Sequence, residues 1–407
     1  MNADAHLLGQ AVAANGTTVS VWNRYVQSSG TTYIRAAVRR PNQDHWGPMR
    51  TLDSWKGSGG GSGSVVPAGT GVLAGWVTAK GRIALMRWDS TTGWGRKTLV
   101  PGAAKNSVHP QLLVNPAAGL RAVAYYRLVS PRSWHSVLRV AVQRHGVWTN
   151  KTVGRSGDIS TFEDTPEIVS DDAGNVTVAW RFYSTDDYGD VTGYASRLGA
   201  DAATWEAPHS FGFEGEIYYT SHPTLLLEPD DSVTLFKSPP FYPAPEDGVQ
   251  VWNRAADGPW TLTENVPGTS YLMSDDAHVE RNSRGDLLAV YPGHTLVAKP
   301  AGGTWQVVAL GSDFELADAV LADDGRIAAF GIGPNASALQ QVQVRFGTIA
   351  GLLGDPTSLT TGQAKRMIAD ATLAPNGSIS LDFARRVQSP PRSRAEMHNG
   401  LVLNIDD

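Results

Sequence analysis

Apolar and polar positions alternate along several short segments of the chain, and this two-residue period is typical of β-strands with one buried face. The alternation is clearest at 33–41, 82–88, 137–144 and 248–254. No long segment shows the 3.6-residue period of an amphipathic helix, which argues against a parallel α/β fold. The pattern therefore predicts an all-β protein.

One hairpin recurs about every fifty residues. An apolar strand leads into a turn rich in Asn, Asp and Gly, residues that suit a backbone with positive φ. A second strand then ends in an aromatic residue. The eight copies span 11–22, 64–77, 112–126, 167–180, 225–236, 279–291, 319–330 and 371–383. The aromatic residues are Trp22, Trp76, Tyr125, Trp180, Phe236, Tyr291, Phe330 and Phe383.

A second hairpin follows each first one, and a Trp opens its fourth strand in most copies. Four antiparallel strands in a repeated unit predict β-propeller blades, eight in number, with seven as the alternative. The predicted single domain has blades at 6–53, 64–100, 108–153, 164–208, 221–266, 276–310, 316–360 and 366–405. The recurrent aromatic residues are interpreted as packing between neighbouring blades. Because the last unit lacks a fourth strand, either the final blade has three strands or the degenerate unit 64–100 is incomplete.

Charge and composition limit the classes of partner that the protein can be expected to bind. The net charge is −5 and no long basic run occurs, which disfavours a nucleic-acid partner. No apolar stretch approaches the roughly 18 residues of a membrane helix, so no membrane insertion is predicted. The absence of cysteine excludes disulfides and thiolate chemistry.

The segments VWNRY (21–25) and GTTYIRAAVRRPNQDHWGPMRTL (30–52), with the later TVAW (177–180), resemble repeats of exported actinobacterial proteins. Those repeats form sialidase-like or BNR-like propellers. The resemblance implies a secreted or cell-surface protein whose signal peptide has been removed.

The catalytic signature of sialidases is not matched. Their Asp-box survives only as the fragments GGTW (302–305), DGPW (257–260) and TTGW (91–94). The best Ser-x-Asp-x-Gly, at 170–174, lies in a first hairpin, and the arginine-bearing Phe/Tyr-Arg-Ile-Pro motif is absent. The resemblance therefore implies a shared architecture without sialidase activity.

A ligand site is predicted on one face. In propellers, the loops that enter the first strand and those that join strands two and three share a face, and here these segments are long, polar and aromatic. His109, Thr165 and His222 occupy matching positions in them, with Asp275 or Asp276 near the fourth equivalent. Two histidines at a channel mouth suit a metal. Alternatively, these polar residues satisfy backbone groups at the strand starts.

Carboxylates gather in the same segments, at Glu163, Asp164, Asp186, Asp187, Asp190, Glu214, Glu216, Asp275 and Asp276. They can bind Ca²⁺ or form an acid/base pair, for which Glu214, Glu216, Asp186 and Asp187 are the catalytic candidates. A solvated acidic surface is the alternative. No motif requires a cofactor, and Ca²⁺ or another divalent cation is the candidate metal.

Aromatic residues accompany the carboxylates, at Trp134, Tyr183, Tyr188, Tyr218, Tyr219, Phe241 and Tyr242. Aromatic faces beside carboxylates suit sugar rings, although Tyr also anchors loops to a protein surface. Three hypotheses remain open. The protein is a propeller that binds a carbohydrate or cell-surface ligand, a glycoside hydrolase or polysaccharide lyase with its site at the channel mouth, or a scaffold for a protein partner.

Overall fold

A computed structural model describes most of the chain. The described residues are 3–41, 43, 45–58, 61–103, 105–130, 135–158, 165–183, 191–211, 223–237, 248–266, 278–291, 295–310, 314–332, 342–351, 353–359, 367–373, 377–389 and 392–404.

These residues form 32 β-strands and no helix, as the alternating pattern predicts. The first half contains β1 (Ala3–Val12), β2 (Thr18–Val26), β3 (Thr31–Arg39), β4 (Arg50–Lys56), β5 (Gly63–Ala68), β6 (Gly71–Val77), β7 (Ile83–Asp89), β8 (Gly93–Trp94), β9 (Thr98–Leu99), β10 (Ser107–Asn115), β11 (Leu120–Leu128), β12 (His135–Arg144), β13 (Val147–Asp158), β14 (Glu167–Ser170), β15 (Val176–Tyr183), β16 (Val191–Leu198) and β17 (His209–Phe211). The second half contains β18 (Thr224–Leu227), β19 (Val233–Lys237), β20 (Val249–Arg254), β21 (Thr261–Val266), β22 (His278–Arg281), β23 (Leu287–Tyr291), β24 (Thr295–Lys299), β25 (Gln306–Val308), β26 (Glu315–Leu321), β27 (Arg326–Ile332), β28 (Val342–Thr348), β29 (Thr357–Ser358), β30 (Met367–Leu373), β31 (Ser378–Ser389) and β32 (Arg392–Asn404).

Consecutive strands pair antiparallel in four-stranded meanders, such as β1-β2-β3-β4 and β18-β19-β20-β21. Counted by hydrogen bonding, the described strands form seven sheets, which agrees with the alternative blade number of seven. The preferred number of eight is not confirmed, because β10–β13 and β14–β17 share one sheet. Strand pairing between these two meanders is limited to a single residue pair, Asp158 with Tyr183.

The last described sheet has three strands, β30-β31-β32, while β5–β9 make a complete meander whose fourth strand is split into β8 and β9. Of the two ways to account for the missing fourth strand, the three-stranded last sheet is therefore the one observed.

The fourth strands of several meanders also begin later than predicted. Trp205, Trp260 and Trp305 precede β17, β21 and β25 rather than lying within them.

The chain divides into two compact units. Unit 1 comprises Met1–Gly61, Gly69–Val72 and His278–Asp407, and unit 2 comprises Ser62–Ala68 and Leu73–Ala277. Within unit 2, the first strands β5, β10, β14 and β18 contact one another in that order. Within unit 1, β22 contacts β26, β26 contacts β30 and β30 contacts β1. In both units, then, the first strands of successive meanders lie side by side.

The aromatic residues that end the second strands lie in the core, as predicted. Seven of the eight are buried, and the side chain of Phe383 lies outside the description. Trp180 belongs to a cluster that contains residues of two meanders, including Leu138 and Val140 of β12. Its ring stacks on Tyr194 with centroids 5.5 Å apart. The repeated aromatic residue therefore serves packing between blades, where a large ring buries much apolar area.

The tight turns do not use Asn and Asp mainly for positive φ. Glycine takes the left-handed position in the first hairpins, for example at Gly174, Gly285 and Gly325. Polar turn residues instead hydrogen-bond to the turn of the next repeat in the same unit. Asn115 Nδ2 donates to the Asp171 carbonyl over 2.7 Å, and the Ser283 amide donates to Asp323 Oδ1 over 2.9 Å. Neighbouring meanders are thereby tied at the turn end as well as through their cores.

Candidate ligand-binding site

In sequence, the candidate residues all fall within the span of unit 2, although Asp275 and Asp276 come just before β22, a strand of unit 1. They lie at or before the start of a first strand, such as β14 or β18, or after the end of a second strand, such as β15 or β19. Antiparallel order brings these two kinds of strand end to the same end of a meander. The opposite end carries the tight turns. The strands that lead into the candidate segments therefore run toward one end of the unit.

Two candidates, Thr165 and His109, have side chains in the described structure, and His109 is the more informative. Its backbone has a φ of +50°, a left-handed value that is uncommon for a residue with a Cβ. The pairing of β10 with β11 shifts register between Val108 and Gln111, which makes a bulge at this histidine. The His109 amide donates to Ser62 Oγ over 3.3 Å. A bulge re-aims a side chain at a strand end and is frequent beside functional sites.

Most other candidates lie outside the described residues. These are Trp134, Glu163, Asp164, Asp186, Asp187, Tyr188, Asp190, Glu214, Glu216, Tyr218, Tyr219, His222, Phe241, Tyr242, Asp275 and Asp276. Tyr183 is the last residue of β15, and its backbone pairs with Val191. Thr165 is partly buried just before β14. The grouping of these side chains in one site stays a prediction.

Glu167 is a candidate that the sequence interpretation missed. It opens β14, pairs with Ala179 across the hairpin, and follows Glu163 and Asp164 closely in sequence. Its side chain is partly accessible yet surrounded by protein, and this burial raises the pKa of the carboxyl from 4.5 to about 7. Near neutral pH, Glu167 can therefore hold or release a proton. The signal in the sequence was a carboxylate at the start of a short buried strand, EIVS, where the matching strand TLLL opens with an uncharged threonine.

Lys237 is a second titratable group at this end, and the residues next to it in sequence do not indicate that its pKa is shifted. It closes β19, on the same face as Val233 and Leu235, and is only 4 % exposed. Its ammonium donates to the backbone carbonyl of Phe211. Burial lowers the pKa of Lys237 from 10.5 to about 7. A lysine so placed loses its proton in the same pH range in which Glu167 does.

No group of three His, Asp or Glu side chains within the described ranges is arranged to hold a metal ion. The carboxylates expected to bind Ca²⁺ fall outside those ranges, so metal binding stays a prediction. In the described part of the chain, no helix has the length and apolar character needed to span a membrane. What this end of unit 2 offers chemically is a carboxyl and an amine that both titrate near pH 7.

Comparison with known proteins gives the fold and no family. No protein-family model matches the sequence, and no curated protein matches it. Solved structures do match. A Mycobacterium tuberculosis puromycin-hydrolysing peptidase is 12 % identical with a TM-score of 0.53, over 95 % of this chain and 58 % of that one. An ulvan lyase, a polysaccharide lyase, is 10 % identical with a TM-score of 0.50, over 82 % of this chain and 90 % of that one.

A third similar structure is the β-propeller domain of the Trilobed protease from Pyrococcus furiosus, 10 % identical with a TM-score of 0.44, over 88 % of this chain and 98 % of that domain. The fold is a β-propeller built from antiparallel blades. The chain spans little more than half the length of the peptidase. No similarity in sequence to sialidases accompanies these matches, so the earlier resemblance extends to architecture alone.

Proposed function

We propose that this chain is an exported β-propeller that binds a polysaccharide at the end of unit 2 where first strands begin and second strands end. The observation that carries the proposal is the unequal distribution of polar and aromatic residues between the two ends of the meanders. Short turns such as 171–175 and 228–232 close one end. In sequence, the predicted carboxylates and aromatic residues come at or before the starts of first strands or at or after the ends of second strands, and these strand ends share the other end.

The ligand class follows from the chemistry of those residues. A sugar ring has apolar C–H faces that pack on Tyr or Trp, and hydroxyl groups that donate to carboxylates. Tyr218 and Tyr219 stand beside Glu214 and Glu216 in one segment, and Tyr188 follows Asp186 and Asp187 in another. The polysaccharide lyase with a similar fold is consistent with a polysaccharide ligand. A protein partner has no comparable support.

The proposal is tested by binding of the purified protein to a panel of bacterial and plant polysaccharides, with and without EDTA. We expect one glycan class to bind, and Tyr218→Ala to weaken that binding by about ten- to a hundred-fold, since an aromatic contact in a binding site is worth about 1–3 kcal/mol. Asp172→Ala, in an exposed turn at the other end of the same unit, is the control. Absence of binding to every glycan, or equal loss in both variants, would contradict the proposal.

A carbohydrate-active enzyme is the second candidate, and Glu167 favours it. A carboxyl with a pKa of about 7 is protonated over much of the range below neutral pH and can act as a general acid. Its partner would be one of the predicted carboxylates, Glu214, Glu216, Asp186 or Asp187, at the separation of about 5 to 10 Å that glycoside hydrolysis requires.

If the enzyme candidate holds, the bound glycan is shortened or gains an unsaturated product. Glu167→Gln should then lower kcat at least a hundred-fold while glycan binding persists. Because an acid must carry its proton, activity of the wild-type protein should fall as pH rises through about 7. Glu206→Gln, an exposed carboxylate paired with Arg254 at 2.8 Å, is the matched control. Turnover that survives Glu167→Gln, or binding lost together with turnover, would exclude this role.

A further inference from the structure

A cavity of about 180 Å³ opens between the outer parts of two neighbouring meanders of unit 2. One wall is formed by residues of β12 and β13, and the other by the end of β16 and the segment that leads to β17. The lining residues are Val140, Val142, Arg144, Val147, Thr149, Lys151, Leu198, Ala202, Ala203 and Trp205. The cavity lies away from the strand ends proposed above to bind polysaccharide, and nothing in that proposal uses it.

Seven of the ten lining residues are apolar. Val140, Val142 and Leu198 belong to the core cluster between the two meanders, and Trp205 packs against that cluster. At the rim, Val147 is 67 % exposed. The cavity is thus a place where the apolar core between blades opens to the surface. A cavity of roughly 150 Å³ with apolar walls is large enough to take benzene.

The polar groups at the cavity are cationic. Arg144 Nη2 donates to the carbonyl oxygens of Gly174 (2.8 Å) and Gly199 (3.3 Å), so its guanidinium is fixed, with Asp201 as its acidic neighbour. Lys151 is exposed, and its ammonium makes no hydrogen bond or ion pair within the described part of the chain. No carboxylate or amide side chain lines the cavity. The rim therefore offers positive charge and almost no hydrogen-bond acceptors.

Apolar walls with a cationic rim favour some classes of ligand over others. A neutral sugar needs several acceptors for its hydroxyl groups, and Thr149, whose hydroxyl donates to the Val142 carbonyl, is the one hydroxyl side chain in the lining. A peptide segment exceeds the volume. A six-membered aromatic ring fills the apolar space, and one carboxylate on it reaches the cationic rim. We propose that this cavity is a binding site for a small aromatic carboxylate, with the ring between Val142 and Trp205 and the carboxylate at Lys151.

The test uses 4-fluorobenzoate as the probe and follows ¹⁹F line broadening in titrations of the whole chain. We expect saturable binding that weakens as salt is added, since Lys151 is exposed and screened. Ala203→Leu, which fills the cavity, and Val147→Asp, which places a carboxylate at its rim, should abolish binding. Both positions are exposed, so both variants should fold; thermal unfolding checks this.

Charge recognition is tested separately. Lys151→Gln should weaken the affinity for 4-fluorobenzoate about ten-fold, and the neutral 4-fluorobenzamide should bind about ten-fold more weakly to the wild-type protein. Lys80→Gln, an exposed lysine of another meander, should change nothing. The proposal is overturned if the wild-type protein shows no saturable binding, if Ala203→Leu binds as well as the wild type, or if the benzamide binds as tightly as the benzoate.

Discussion

Replacing Asn282 by alanine is expected to lower the free energy of unfolding by about 2–4 kcal/mol, because four hydrogen bonds of a buried amide are lost together. Asn282 Nδ2 donates to Asp286 Oδ2 (2.8 Å) and to the Ala322 carbonyl in the next meander (3.0 Å). Its Oδ1 accepts from the amides of Arg284 (3.1 Å) and Asp286 (2.9 Å). The bond to Ala322 joins two blades, so its loss also loosens their packing.

Two further substitutions separate this explanation from a backbone preference. If Asn282 were present to adopt a positive φ, Asn282→Gly would be as stable as the wild type; its φ is not positive, and we expect glycine to be as harmful as alanine. Asn282→Asp keeps the acceptor but places a carboxylate beside Asp286, and should be the least stable variant. Chemical denaturation measures all three. Asn15→Ala, with one bond to the Thr17 amide in a comparable turn, should cost no more than about 1 kcal/mol.

The sequence predicts where the turns are, but it does not predict which hydrogen bonds their polar residues make. Repeated Asn, Asp and Gly located every first hairpin, because these residues are needed wherever a tight turn occurs. The pattern assigned the polar residues to backbone conformation, whereas Gly285 provides the positive φ and Asn282 bonds to a residue forty positions further along the chain. Such a bond depends on which turn lies beside which, and spacing within one hairpin carries no information about it.

Strand assignments were accurate for a related reason. Alternation of buried and exposed residues is a local property, and it predicted the strands at 82–88 and 248–254 to within about two residues. The fourth strands were placed less well. Pro208 donates no backbone hydrogen bond, so the strand predicted at 204–208 begins only at His209.

For the candidate site, too, the sequence does not predict properties that depend on neighbours distant in the chain. Residue types pointed to the end of unit 2 where the polar segments gather, and topology explains why those segments share an end. Neither Glu167 nor Lys237 was among the candidates, because a pKa shift arises from neighbours that are distant in sequence. Lys237 of β19 bonds to the carbonyl of Phe211 in β17, and these two strands belong to different meanders. From the sequence, it is one lysine at the end of a strand.

Lys237→Met is expected to change how stability depends on pH. In the folded protein Lys237 loses its proton near pH 7, whereas in the unfolded chain it keeps the proton to about pH 10.5. The unfolded state therefore binds more protons between these values, and the stability of the wild-type protein rises with pH across that window. A shift of this size corresponds to about 5 kcal/mol, and Lys237→Met should abolish that rise.

The sign of the difference between the two proteins should also reverse. Below pH 7 the variant avoids the cost of burying a charge, while it loses the contacts of the ammonium, including the bond to the Phe211 carbonyl, so we expect it to be more stable by about 2 kcal/mol. Near pH 10 that cost has disappeared from the wild-type protein, and the unpaired carbonyl should leave the variant less stable by about 1–3 kcal/mol.

Denaturant unfolding at pH 6, 8 and 10 measures this difference, with the exposed Lys80→Met as the control that should leave the pH dependence unchanged. The neighbouring His209 does not contribute to the rise in stability above pH 7, since burial lowers its pKa below 6.5 and it stays neutral in that range. Parallel stability curves for Lys237→Met and the wild type would show that Lys237 keeps its charge in the folded protein. In that case the amine would be a fixed cation at the end of unit 2 that is proposed to bind polysaccharide, and not a group that titrates there.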